Sequence, residues 1–199
     1  MLFKRNSKKV IMEGVKLNLN MLDYRGNRTP DGYESGKKRG GYPYIPPFGW
    51  KAFGLKVLNL FDNGNNDWLE KNNNPNDWAV AYHGIGRLSP EPEVITNIII
   101  NGGFKPGSCQ VLANYEDDNH PGCKIGIGVY CTPDINYTDK IINCVGKSKT
   151  EINGKKFKMV FMLRVKPDRI RFNHTNPNEW ILNGTTEEMR PYRILLKEV

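Results

Sequence analysis

Residues 157–165, Phe-Lys-Met-Val-Phe-Met-Leu-Arg-Val, follow the alternating pattern of a long strand. Shorter β-rich runs occupy residues 78–83, Trp-Ala-Val-Ala-Tyr-His, ended by Gly84, and residues 126–131, Gly-Ile-Gly-Val-Tyr-Cys. Trp180-Ile181-Leu182 and residues 192–197, Tyr-Arg-Ile-Leu-Leu-Lys, predict two more strands near the C-terminus. Residues 50–60 read two ways: Phe53, Leu55 and Val57 alternate like a strand, while Trp50, Phe53 and Val57 also fit a helical stripe. Residues 92–100 open on a proline and run into Asn101-Gly102-Gly103, which is helix punctuation, although their β-branched content favours a strand. A helix is the expectation there. Asn183-Gly184-Thr185-Thr186 reads as a hairpin turn, which would leave Glu187 and Glu188 as solvated side chains. Several strands, intervening turns and few helices predict an α+β fold with a mostly antiparallel sheet.

Charge divides the chain in two. Over 199 residues, 29 Lys and Arg stand against 21 Asp and Glu, a net charge of +8. Residues 1–51 hold 11 of those basic residues and 4 of the acidic ones, so the rest is close to neutral. Residues 25–49 are dense in Gly, Pro and Tyr without periodicity, the composition of an irregular connector. The expected organisation is a basic, turn-rich extension over 1–51 and a folded domain over 52–199. A basic arm of this kind suits an anionic partner. No apolar run approaches the roughly 20 residues that span a bilayer, so no membrane role is expected. The first 20 residues lack a continuous apolar core and a small-residue cleavage site, so an intracellular address, cytoplasmic or nuclear, is the expectation.

Cysteine chemistry adds little. Cys109, Cys123, Cys131 and Cys144 form no Cys-x-x-Cys pair and are read as reduced thiols. His120 and Cys123 are three apart without a second ligand pair, so no metal is expected. Residues 62–70 superficially suggest a calcium loop, but the sixth position is Asp67 where that loop needs Gly, so the segment reads as a turn.

Three short pieces carry the candidate chemistry. Tyr82-His83-Gly84 ends a strand, Gly126-Ile127-Gly128-Val129-Tyr130 lies on another, and Asn178-Glu179-Trp180-Ile181-Leu182 begins a third. In this order they resemble the His-Tyr-Glu triad of the poly(ADP-ribose) polymerase family, the diphtheria-toxin-like ADP-ribosyltransferases. The resemblance covers residues 78–199. Residues 94–106, 157–168 and Tyr192-Arg193-Ile194-Leu195 are similar to further segments of that family. What the resemblance implies is a split, mostly antiparallel β-sheet ADP-ribosyltransferase fold with few helices, and NAD as substrate.

It also implies roles. His83 would hydrogen-bond a ribose hydroxyl on the adenosine side, and Gly84 would present its backbone N–H and C=O to the nicotinamide carboxamide. Tyr130 would stack on the nicotinamide ring. Glu179 would bind the nicotinamide-side ribose and stabilise the positive charge that develops there. The family's second stacking tyrosine falls here on Ile141, and Tyr137 in the neighbouring turn is the aromatic that could take its place. Trp180 stands where the family has Tyr. The implied activity is mono-ADP-ribosyl transfer to an acceptor protein or nucleic acid. Two other classes stay open: the same fold as an inactive binding module, and a nucleic-acid binder led by the basic arm.

Overall fold

The computed structural model describes residues 19–28, 37–84, 92–101, 104–108, 115–138, 149–152, 155–173 and 176–199. In chain order the strands are β1 (Lys38–Arg39), β2 (Tyr42–Pro43), β3 (Lys51–Gly54), β4 (Ala79–Gly84), β5 (Gly107–Ser108), β6 (Ile127–Cys131), β7 (Lys149–Ile152), β8 (Lys155–Val165), β9 (Arg171–Asn173), β10 (Asn176–Leu182) and β11 (Met189–Glu198). Among the described residues two short α-helices accompany them, α1 (Pro92–Asn101) and α2 (Ile135–Thr138). The strand pairings are antiparallel, which makes this a few-helix α+β structure. None of the described helices is long and apolar enough to cross a membrane.

β8 organises the larger sheet, whose order is β3-β11-β8-β4, with β7 on the outer half of β8. Its residues from Met159 to Val165 are all buried, as befits a strand covered on both faces. β11 pairs along its whole length, from Met189↔Val165 to Glu198↔Phe157. A proline in such a strand removes a ladder hydrogen bond. The register shifts between Pro191 and Arg193, and the Tyr192 carbonyl turns to accept from the Leu55 N–H at 3.0 Å. A four-stranded sheet has the order β5-β6-β10-β9, and β1 and β2 pair as a two-stranded ribbon. Residues 92–101 are helical, so the proline and glycine punctuation outweighs the β-branched content, with Ile98 and Ile99 buried.

The described part of residues 1–51 is not a detached arm, which corrects the expected boundary. Leu22 and Arg28 form bridges to Leu55 and Ala52. Gly26 and Gly54 meet backbone to backbone: a Cβ on Gly54 would lie 2.6 Å from the Gly26 Cα and 2.5 Å from the Asp23 oxygen. The Asn27 side chain accepts from the Gly54 N–H at 2.9 Å, and Arg193 Nε donates to the Gly26 carbonyl at 3.0 Å. Further on, the Tyr82 hydroxyl donates to the Ile45 carbonyl at 2.6 Å. Tyr42 places its ring 4.8 Å from that of Trp180. Composition missed this because turn-rich text is also what a chain laid over a sheet edge looks like.

Removing residues 1–41 should therefore destabilise the domain rather than trim a leader. It strips the edge of β3 and leaves the Gly54 N–H without its partner, a loss of at least about 2 kcal/mol. Urea unfolding of the truncated chain checks this, and an unchanged midpoint would return the segment to the status of an arm.

Candidate active site

The two sheets meet at one residue pair. Tyr82 on β4 and Thr132 just beyond β6 exchange both backbone hydrogen bonds, N–H to O at 2.8 and 3.0 Å. In an antiparallel strand, residues two apart direct their N–H and C=O to the same side. Tyr130 therefore points its carbonyl at β4, and Gly84 points its N–H and C=O towards β6, away from β8. A continued ladder would join them. Instead the His83 ring takes the Tyr130 carbonyl, with Nδ1 at 2.8 Å. Two of the three sequence motifs thus meet at the point where the sheets part.

A carbonyl only accepts, so Nδ1 carries the proton and Nε2 remains an acceptor. Desolvation holds the imidazole below its ordinary titration range, against the opposing pull of the Tyr130 hydrogen bond. The ring also stands edge-on to Phe104, centroids 5.2 Å apart. His83 is consequently a neutral, oriented hydrogen-bond acceptor at neutral pH.

Glu179 lies on β10, next to the residues that pair with β6: Trp180 faces Cys131 and Ile181 faces Tyr130. On its other side β10 shifts register against β9 between Asn176 and Trp180. An unbroken strand would send Asn176 and Glu179 to opposite faces. The irregularity brings them together, as bulges near functional sites do. Asn173 Nδ2 donates to Glu179 Oε2 at 2.5 Å, and Asn176 Nδ2 approaches Oε1 at 3.4 Å. From α2 the Tyr137 hydroxyl donates to Oε1 at 3.2 Å, and Asn176 Nδ2 also contacts that hydroxyl. Among the described residues the partners of the carboxylate are all neutral donors. Burial, then the Glu179 charge, push the Tyr137 phenol above its ordinary range.

α2 is placed by its own turn chemistry. Thr132 Oγ1 accepts from the Asp134 N–H at 3.2 Å, and Asp134 Oδ1 accepts from the Asn136 N–H at 2.9 Å. The chain thus turns straight from the Tyr130 strand onto the Glu179 strand. Tyr137, named from its position near Ile141, is brought to Glu179, while Ile141 itself lies outside the described residues. Sequence reasoning missed Asn173 and Asn176. The Asn-x-x-Glu spacing was visible, but no period-two reading joins residues three apart on a strand.

Glu188 was expected to be solvated, yet it is buried and accepts from the Asn183 N–H at 2.7 Å and from Asn183 Nδ2 at 2.9 Å. It closes the turn between β10 and β11 and is committed to that task. Glu187 is exposed. Cys123 is a free thiol, and Cys109 and Cys144 lie outside the described residues. Among the described residues no group of three or more His, Cys, Asp and Glu is arranged to hold a metal ion. No protein-family model matches this chain, and a search of curated proteins found no match.

Two measurements follow from this geometry. At pH 7 the His83 ring should be the Nδ1–H tautomer in ¹⁵N NMR, with a titration midpoint below the ordinary value of about 6.5. Because the native state resists the proton that the unfolded chain accepts, its contribution to stability is present above that value and lost as pH falls through it. A midpoint at or above 6.5 would contradict the assignment. For the turn, Glu188→Ala should lower stability by about 1–3 kcal/mol, while Glu187→Ala should change it by less than about 0.5 kcal/mol, both read by chemical denaturation.

Proposed function

We propose that this chain is an NAD-dependent mono-ADP-ribosyltransferase of the His-Tyr-Glu class, with the split-sheet fold of that class. The observation that carries the reading is the junction itself. His83 hydrogen-bonds the Tyr130 carbonyl where β4 and β6 part, and Glu179 stands on the strand paired with β6. Three motifs chosen by their sequence resemblance converge on one neighbourhood from three different strands. Unrelated matches would have no reason to do so.

The chemistry assigned to each residue suits its surroundings. Cleaving NAD breaks the ribose–nicotinamide bond, whose electron pair leaves with nicotinamide, and the ADP-ribosyl cation is captured by an acceptor nucleophile. His83 Nε2 is an acceptor for a ribose hydroxyl. Gly84 offers a paired donor and acceptor to a carboxamide, on a strand edge that β8 does not use. The Tyr130 ring supplies an aromatic face for the nicotinamide. Glu179 supplies negative charge beside the developing cation, and its clasp by Tyr137, Asn173 and Asn176 fixes the carboxylate in advance of the reaction. Tyr137, at hydrogen-bond distance from that carboxylate, is the aromatic on the Glu179 side of the junction.

One observation favours the second reading, an NAD-binding module without turnover: protein donors already occupy both oxygens of Glu179. Transfer from labelled NAD distinguishes the two. Wild type should transfer label, and Glu179→Gln should lower transfer on the order of 10²-fold while NAD binding by calorimetry is retained. NAD binding with no cleavage in wild type selects the binding module, and no NAD binding at all removes both readings.

A further inference from the structure

A cavity of about 390 Å³ opens on the side of the larger sheet where residues 23–26 cross β3, and Lys71, Arg164, Arg193, Tyr192, Leu69 and Val57 line it. Its charge balance is unusual. Asp23 is the one carboxylate among its lining residues, and Arg25 already clamps it, with Nε to Oδ1 at 2.9 Å and Nη2 to Oδ2 at 2.7 Å. Three cations then share the cavity with no carboxylate of their own among the described residues.

Arg164 is the most demanding of them. It is fully buried at 0% exposure, and its hydrogen bonds go to carbonyls: Trp78 at 2.6 Å, and Leu69 and Glu70 at 2.9 Å each. Its Nε–H has no partner among the described residues. Arg193 is bound through Nε to the neutral Gly26 carbonyl. Burial first, then the charges of Arg193 and Arg164 with Arg39 and Arg28, hold the Lys71 ammonium below its ordinary range. A buried guanidinium ordinarily has an anion beside it. Here carbonyls take the hydrogen-bonding positions, the Asp77 carboxylate acts on the charge without pairing with it, and two more cations face the same space.

We propose that this cavity is a binding site for a small organic phosphate, with the phosphate held by Lys71 and Arg193 and the buried Arg164 guanidinium adding positive charge behind them. A dianion meets this surplus of positive charge better than a single carboxylate, and guanidinium groups match its oxygens in geometry. The apolar walls, Leu69 and Val57 with the Tyr192 ring, give the organic part a surface to cover. The volume lies within the range of ordinary small-molecule pockets. None of the lining residues is His83, Gly84, Tyr130 or Glu179, so the site is separate from the cleft assigned to NAD.

Phenyl phosphate is a suitable ligand for the test, with benzoate and phenol as the singly charged and neutral controls. Calorimetry on the full chain should show phenyl phosphate binding at least about tenfold more tightly than benzoate, and no binding of phenol. Lys71 is exposed as a residue although the cavity partly desolvates its ammonium, so Lys71→Met should fold as wild type does and weaken phenyl phosphate by about tenfold. His83→Ala should leave that affinity unchanged. Failure of wild type to bind phenyl phosphate, or equal affinity for benzoate, overturns the proposal. So does an unaltered affinity in Lys71→Met, or a loss in His83→Ala, which would move the phosphate to the cleft.

Discussion

Two sheets of this protein are held in register by the pair Tyr82–Thr132, which lies in the interior: Tyr82 is 1% exposed and Thr132 equally so. Buried backbone groups must be paired, so the two hydrogen bonds there are not exchangeable with water. Beyond that pair the ladder does not continue, and each strand has to dispose of the groups it would have shared. His83 does this for β6 by donating to the Tyr130 carbonyl. The same act orients the imidazole, sets its tautomer and leaves the Gly84 backbone facing the gap. A change at this junction would thus alter geometry and chemistry together.

Buried guanidinium groups attach the irregular parts of the chain to this frame. Arg164 holds the carbonyls of Leu69, Glu70 and Trp78. Arg171 does the same for Lys124 and Ile127, at 2.9 and 2.8 Å. Arg190 pairs with Asp62 through both oxygens, at 2.5 and 2.7 Å, and lies over the rings of Phe61, Trp68 and Trp78. That pairing holds the Asp62 carboxyl below its ordinary range. Each arginine sits on a strand and reaches a loop. A fork of five donors can bind several carbonyls at once, which a lysine cannot do in a fixed plane. The Asn-rich loop between β3 and β4 is ordered by this means together with its buried Phe61 and Trp68.

The neighbourhood of Glu179 illustrates how a carboxylate is fixed by irregular backbone. β10 alone would have sent Asn176 and Glu179 to opposite faces, and its register shift against β9 gathers them with Asn173 of β9. Irregularity, not regular pairing, builds the clasp. The turn after β6 contributes in the same way, because Thr132 and Asp134 fold the chain back and carry Tyr137 to the carboxylate.

Much of the fold was legible in the chain. The alternating text of β8, the short β-rich runs of β4, β6 and β11, and the proline-to-glycine frame of α1 depend on local sterics and on period, which a sequence displays directly. The candidates His83, Tyr130 and Glu179 came instead from the resemblance of three short motifs, each at a strand. Other features depend on partners distant in sequence. Residues 19–28 lie on β3 because Gly26 and Gly54 can approach without side chains between them. Glu188 is buried because Asn183 turns back to it, and Tyr137 reaches Glu179 from 42 residues away. Asn173 and Asn176 acquire their role from a register shift that local propensity does not encode. Period and propensity are properties of neighbours along the chain and can be read there. Which donor meets which acceptor across strands is settled only when the sheets pair, because the free energy of that contact belongs to both partners at once.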